Sequence, residues 1–273
     1  MLSQKVASIL RLPILDAAKS QFKKKGNQSF FILAGGQSVN DLTEENFAHM
    51  RAGVSIGVNF WPIHDFVPSI LSSESDNLEK AHPFLDERMR TKGMLTTPPS
   101  VFSLRTKWPV PADSLQNFPD ELNRQRYVYG RANVVTRSER NLVSDLKKIV
   151  KASLAGQLPK GVLPDNGSTV VRMTFFALLQ GYTQIVWVGV DQNSGPYFWT
   201  DPAATKDYER AAKLVPRSSG APHSTSSSEN RPFSNDIFLR ALSSALKEQA
   251  QVNVYVGSSK SSLSDTIPVF NWN

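Results

Sequence analysis

Four places in the chain combine residue types and spacings that chemistry can use. The first is Ala34-Gly35-Gly36-Gln37-Ser38, directly after the apolar run SFFIL at 29–33. Glycines after a strand let the backbone approach a ligand. The N–H groups opening a following helix favour a phosphate, and Ser38 adds a hydroxyl donor. The same five residues also read as a tight strand-to-helix turn closed by Ser38. The second is Asn59, at the end of VSIGV (54–58). Its amide carries two donors and an acceptor, enough to read the edge of a base or sugar, or to close a turn. The third is Asp191, at the end of QIVWVGV (184–190), with Asn193, Tyr197, Trp199 and Asp201 behind it. Rings there can stack on a base or sugar or pack on one another, and a tyrosine can hold a phosphate. The fourth is His223, in a polar loop; of the four histidines it falls nearest the expected ligand edge. An imidazole titrates near neutral pH, as a general base must, although a loop histidine can also stand without a role.

What the chain lacks narrows the chemistry further. There is no cysteine, which excludes disulfide scaffolds, thiol catalysis, iron–sulfur clusters and cysteine-bound zinc. No Asp-x-Asp, His-Glu-x-x-His or Gly-x-Ser-x-Gly occurs. The first glycine turn is neither a G-x-G-x-x-G fingerprint nor a P-loop, since no Gly-Lys-Ser/Thr follows it.

The elements that must position these groups are legible as apolar runs. Residues 29–33, 54–58, 68–72 and 101–104 read as parallel strands, starting 25, 14 and 33 residues after one another, a succession of β-α units. Val134-Val135-Thr136 reads as a further strand, 141–155 as an amphipathic helix, and the proline-broken stretch 105–165 as an insertion or lid. Residues 169–179 read as a buried helix closed by Gly181, 184–190 as the strongest strand, 236–249 as a helix and 252–256 as a last strand. Residues 192–235 read as a long loop, either functional or disordered, and 257–273 as an irregular tail. The expected fold is one α/β domain over 1–273, with a Rossmann-like, mostly parallel sheet and helices on both faces. Such sheets bind ligands at the carboxyl ends of their strands. Gly35, Ser38, Asn59 and Asp191 all fall there.

Composition sets the outer bounds. The chain has 273 residues, 40% of them hydrophobic, and carries 31 basic against 24 acidic side chains, a net charge of +7. Wholesale disorder is excluded, and no apolar run reaches the ~18–20 residues that cross a bilayer. No secretory signal is recognisable, so a cytoplasmic protein is expected. The positive charge favours anionic partners. It is spread out apart from Lys23, Lys24 and Lys25, so sequence-specific nucleic-acid binding is not expected. Those lysines end a helical stretch over 1–25, which is either a solvated helix end or a basic patch for peripheral contact with the inner membrane. The oligomeric state is left open, a homo-oligomer being compatible.

Taken in order, strand–(A)GxxS–helix, strand–Asn, then GST–helix–GY–strand–G-[IV]-D–loop–Tyr resembles the bacterial sialyltransferase family of lipooligosaccharide α-2,3- and α-2,8-sialyltransferases. It is also similar to the motility accessory factors of the domain-115 group, which act on nonulosonic acids. The likeness covers most of 29–85 and 166–257. It implies a glycosyltransferase that moves sialic acid or another nonulosonic acid from a CMP-activated donor to a glycan or protein acceptor, with no catalytic metal and no cofactor. Gly35, Gly36, Ser38 and Asn59 would hold the nucleotide. Ser168 and Thr169 match the family's Thr-Ser-Gly segment, with Val170 in place of its glycine. Tyr197 fits one of two phosphate-binding tyrosines, and His223 is the nearest equivalent of the loop base.

The chain also departs from the pattern. The asparagine between the first two glycines is gone, the second tyrosine has no counterpart, and Asn166 stands where the family has an arginine. Two alternatives therefore accompany the first reading. One is a pterin pyrophosphokinase-like enzyme, which needs magnesium and an acidic pair. The other is a non-catalytic nucleotide- or glycan-binding relative.

Overall fold

Runs of apolar residues without alternation are what a sheet buried on both faces requires, and they form its centre. In the computed structural model these are β1 (Phe30–Leu33), β2 (Val54–Val58) and β7 (Gln184–Val188). The structure describes residues 24, 27–74, 84–85, 87–92, 100–103, 126–136, 138–193, 195–201, 208–214 and 233–273. Among them β3 (Ile70–Glu74), β4 (Ser100–Ser103), β5 (Arg126–Asn133), β6 (Val162–Asp165) and β8 (Asn253–Val256) complete an eight-stranded sheet. The order is β6-β5-β4-β3-β2-β1-β7-β8, and every strand pairing is parallel.

Successive β1 side chains go to opposite faces. Phe30 and Ile32 join the core beneath α2 (Glu139–Leu154), α3 (Thr169–Leu179) and α5 (Asn235–Ala250). Phe31 and Leu33 join the other core, with Met50 of α1 (Glu44–Ala52), Trp61, Phe198 and Ala211 of α4 (Glu209–Leu214). Helices cover both faces, as expected. The helix α3 is buried all round, from Thr169 to Leu178, and is apolar apart from Thr169, Arg172 and Thr174. By contrast α2 buries only the stripe Leu142, Leu146, Val150 and Ser153, and packs on α5.

Of the stretch 105–165, expected as an insertion or lid, residues 105–125 lie outside the described residues, while 126–165 give the sheet strands β5 and β6 with α2 between them. Its strand lies at Arg126–Asn133, and Val134-Val135-Thr136 follows it, with Val135 80% exposed. The expected loop 192–235 contains α4 and a 3₁₀ turn, Phe198–Thr200. The irregular tail is well tied down. Val256 N donates to Pro268 O and Phe270 N to Val256 O, so the tail runs alongside β8, and Trp272 stacks on Phe31.

Candidate functional site

The sheet order makes one place special. From β1 the chain winds outward to β6, then returns through α3 to β7 on the other side of β1. The connections after β1 and β7 therefore diverge, leaving a crevice at their carboxyl ends. Gly35, Gly36, Ser38 and Asp191 all sit there, as the strand assignments predict.

Their polar groups are engaged with one another. The Asp191 carboxylate accepts from Ser38 N at 2.9 Å and from Ser38 Oγ at 2.5 Å. Gly36 N donates to Gly189 O at 2.8 Å. A Cβ on Gly36 would stand 2.5 Å from Asp191 Oδ2 and 2.6 Å from Gly189 O, so only glycine fits. Burial pushes the Asp191 carboxyl above its ordinary pKa, and the two Ser38 bonds oppose that rise. The turn residues form a short 3₁₀ helix, Gln37–Asp41, which Ser38 does not cap. Ser38 instead clamps β1 to β7.

Tyr197 lies over this junction. It bridges Gly36, and its ring stacks on Trp199 with centroids 4.4 Å apart at 14°. Trp199 in turn meets Phe60, the residue after Asn59, edge-on at 6.0 Å. Below, His64 stacks on Trp61 at 4.8 Å and accepts from Phe66 N at 2.9 Å through Nδ1. Burial pushes the His64 pKa down to about 4; Lys92 and Arg88 lower it further, while Asp65 opposes.

The other half of the site starts at Asn59, which ends β2 in the left-handed region at φ 52°. Its N–H donates to Ser72 O at 2.7 Å, and its Nδ2 to Thr169 Oγ1 at 3.4 Å. Asn59, Thr169 and Ser168 are thus brought together at the start of α3. The Asn59 Oδ1 and the Ser72 Oγ are buried with no hydrogen-bond partner among the described residues. A buried unpaired acceptor is costly, so both atoms suit a ligand.

Behind Thr169 lies a group that sequence reasoning missed. Arg172 is fully buried within α3. Its guanidinium donates to Asp165 Oδ1 at 2.7 Å, Thr169 Oγ1 at 2.7 Å and Tyr129 Oη at 3.2 Å. Arg131 Nη1 lies 3.5 Å from Asp165 Oδ2. The signal was present: a lone arginine inside TVVRMTFFALL must find a carboxylate. His223 lies outside the described residues. Among the described residues no group of three His, Asp or Glu side chains is placed to hold a metal ion. No described helix is long and apolar enough to cross a membrane.

No protein-family model and no curated protein matches the chain. Solved structures do. The monofunctional α-2,3-sialyltransferase Cst-I of Campylobacter jejuni superposes with a TM-score of 0.54 at 15% identity, over 93% of this chain and 84% of its own. The sialyltransferase CstII of Campylobacter jejuni, in complex with cytidine-5'-monophosphate, gives 0.50 at 12% identity over 91% and 87%. CstII with a trisaccharide acceptor and CMP gives 0.50 at 14% identity over 89% and 86%. At these identities the likeness establishes a shared fold across nearly the whole chain.

Proposed function

We propose that the chain is a glycosyltransferase that moves sialic acid or a related nonulosonic acid from a CMP-activated donor to a hydroxyl of a glycan or protein acceptor. The observation that carries this is Asn59. It ends β2 beside the crevice with a buried, unpaired Oδ1, next to the equally unpaired Ser72 Oγ. A nucleoside offers N–H and O–H donors that such atoms can accept, and the same fold holds CMP in CstII. Thr169 fixes the Asn59 amide from behind.

In this reading His223 takes the acceptor hydroxyl proton. The alkoxide oxygen then forms its bond to the anomeric carbon as the carbon–oxygen bond to the phosphate breaks. CMP leaves with the electron pair, and direct displacement inverts the anomeric carbon. Tyr197 and the turn at Gly35–Ser38 meet the charge developing on the phosphate. The sequence has no Asp-x-Asp, so transfer is expected to persist in EDTA.

The structure also favours one competing reading. Ser38 and Gly36 have their donors engaged by Asp191 and Gly189, which leaves fewer groups for a leaving phosphate. That suits a binding protein without turnover. The test is CMP release from CMP-N-acetylneuraminate by the full chain, with and without EDTA, alongside thermal stabilisation by CMP. Stabilisation plus EDTA-resistant release supports the transferase. Stabilisation without release selects the binding protein, and neither result sinks both.

A further inference from the structure

The charges around Asp165 do not balance. Two guanidiniums, Arg172 and Arg131, share one carboxylate whose side chain is only 2% exposed. Arg172 is fully satisfied: it reaches Asp165, Thr169 and Tyr129 and has no exposed surface. Asp165 also accepts from Gly167 N at 2.8 Å, so its oxygens are well supplied. Arg131 is left with one long contact of 3.5 Å and a side chain 19% exposed. No second carboxylate meets it among the described residues. A partly desolvated cation in that position is costly unless an anion completes it.

Its position on the sheet says where that anion comes from. Tyr129 bonds Arg172 of α3, so it faces α3, and Arg131, two residues on along β5, faces the same way. Arg131 is thus nearer the carboxyl edge than Tyr129. The first turn of α3, which starts at Thr169 beside Asn59, adds the positive end of an 11-residue helix to the same field.

We infer that Arg131 is an oxyanion-binding residue of the substrate site, held by Asp165 and taking a carboxylate or phosphate of the bound molecule. The identity of that molecule rests on the transfer reading above. The two sources of the anion are the sugar acid's carboxylate and the nucleotide's phosphate. Arg172 is the positioning partner. By saturating one side of Asp165, it leaves Arg131 free to turn outward.

The experiment is calorimetric titration of the full chain and its Arg131→Gln variant with inorganic phosphate, free N-acetylneuraminate, cytidine, CMP and CMP-N-acetylneuraminate. A lost charge-assisted contact is read as an affinity loss of about 10- to 100-fold. If the carboxylate is the anion, N-acetylneuraminate and CMP-N-acetylneuraminate weaken while CMP does not. If it is the phosphate, CMP and inorganic phosphate weaken while cytidine does not. Arg131→Lys keeps the charge and should recover part of the loss. The exposed Arg140→Gln should change nothing. In anion-free buffer Arg131→Gln should melt no lower than the wild type, whereas a purely structural arginine would lower the midpoint. Equal anion affinities in wild type and Arg131→Gln overturn the inference, as does a wild type that binds no anion. Arg131-dependent phosphate binding without any cytidine binding keeps the inference and removes the CMP-sugar reading.

Discussion

The crevice has two sides, and they differ in how complete they are. On the β1/β7 side, Ser38, Gly36, Asp191 and Gly189 engage one another, and Tyr197 and Trp199 stack over them. On the β2/β3 side, Asn59 Oδ1 and Ser72 Oγ stay unpaired among the described residues, and further out, on β5, Arg131 has one long contact. Gln192 Oε1, just after Asp191, is the comparable unpaired atom on the closed side. The contrast separates holding the sheet together from holding a ligand. Glycine and serine at the first turn look like ligand groups in sequence, yet the observed geometry makes them a clamp. Asn59, which reads in sequence either as a base- or sugar-reading amide or as a turn residue, is the group with capacity left over.

Substitutions can break or sharpen that division. The largest effect should come from Asp165, the foundation of the open side. Asp165→Asn strands two guanidiniums, one of them fully buried, and should cost about 3–5 kcal/mol in urea unfolding. Replacing Asp165 and Arg172 together with apolar residues should recover most of it. Next comes His64, packed against Trp61 and Phe198. His64 is neutral when folded, with a pKa near 4, against an ordinary 6.5 when unfolded. The unfolded state therefore binds the extra proton first. Stability should fall as pH drops from about 6.5 towards 4, by at most ~3 kcal/mol, and His64→Gln should flatten that part of the profile.

Smaller effects draw the line between the two sides. Gly36→Ala forces a methyl onto Asp191 Oδ2 and Gly189 O and should cost about 1–3 kcal/mol of stability by thermal melting. Asn59→Ala should weaken CMP by about 1–3 kcal/mol in calorimetry, beyond a stability loss of about 1 kcal/mol for an alanine held at φ 52°. An Asn59→Ala protein that binds CMP normally would end its assignment to the site. The smallest effect belongs to Ser72→Ala. Removing a hydroxyl that has no partner among the described residues should shift stability by under about 0.5 kcal/mol, in either direction. A loss near 2 kcal/mol would mean that Ser72 has a structural partner after all.

The centre of the fold was readable because burial on both faces leaves an unmistakable run of apolar residues. The helix α3 was read to its observed bounds, Thr169–Leu179. The rim was not. In β6 only four residues, VLPD, pair, and its proline looks like a breaker although an edge strand tolerates one. In β5 the run RYVYGRAN carries two arginines, and the eye moves on to the more apolar Val134-Val135, which lie beyond the strand. Losing those two strands also lost Arg131 and Asp165, since a residue cannot be placed at a strand end that has not been seen. Asn59 and Thr169 were placed because their elements were. The role of Ser38 was not legible, because its partner Asp191 is 153 residues away and only the sheet order brings them together.

The tail that runs beside β8 has a consequence for life in a crowded solution. A parallel sheet ends in two rows of backbone groups ready to recruit a stranger's chain. Here Pro268 and Phe270 already engage Val256 on one flank, and on the other Pro164 puts a residue without an N–H into β6. Neither flank is a good template for polymerisation. Loosening the tail, as by replacing Phe270 with a charged residue, would turn a finished border into a seed for fibres.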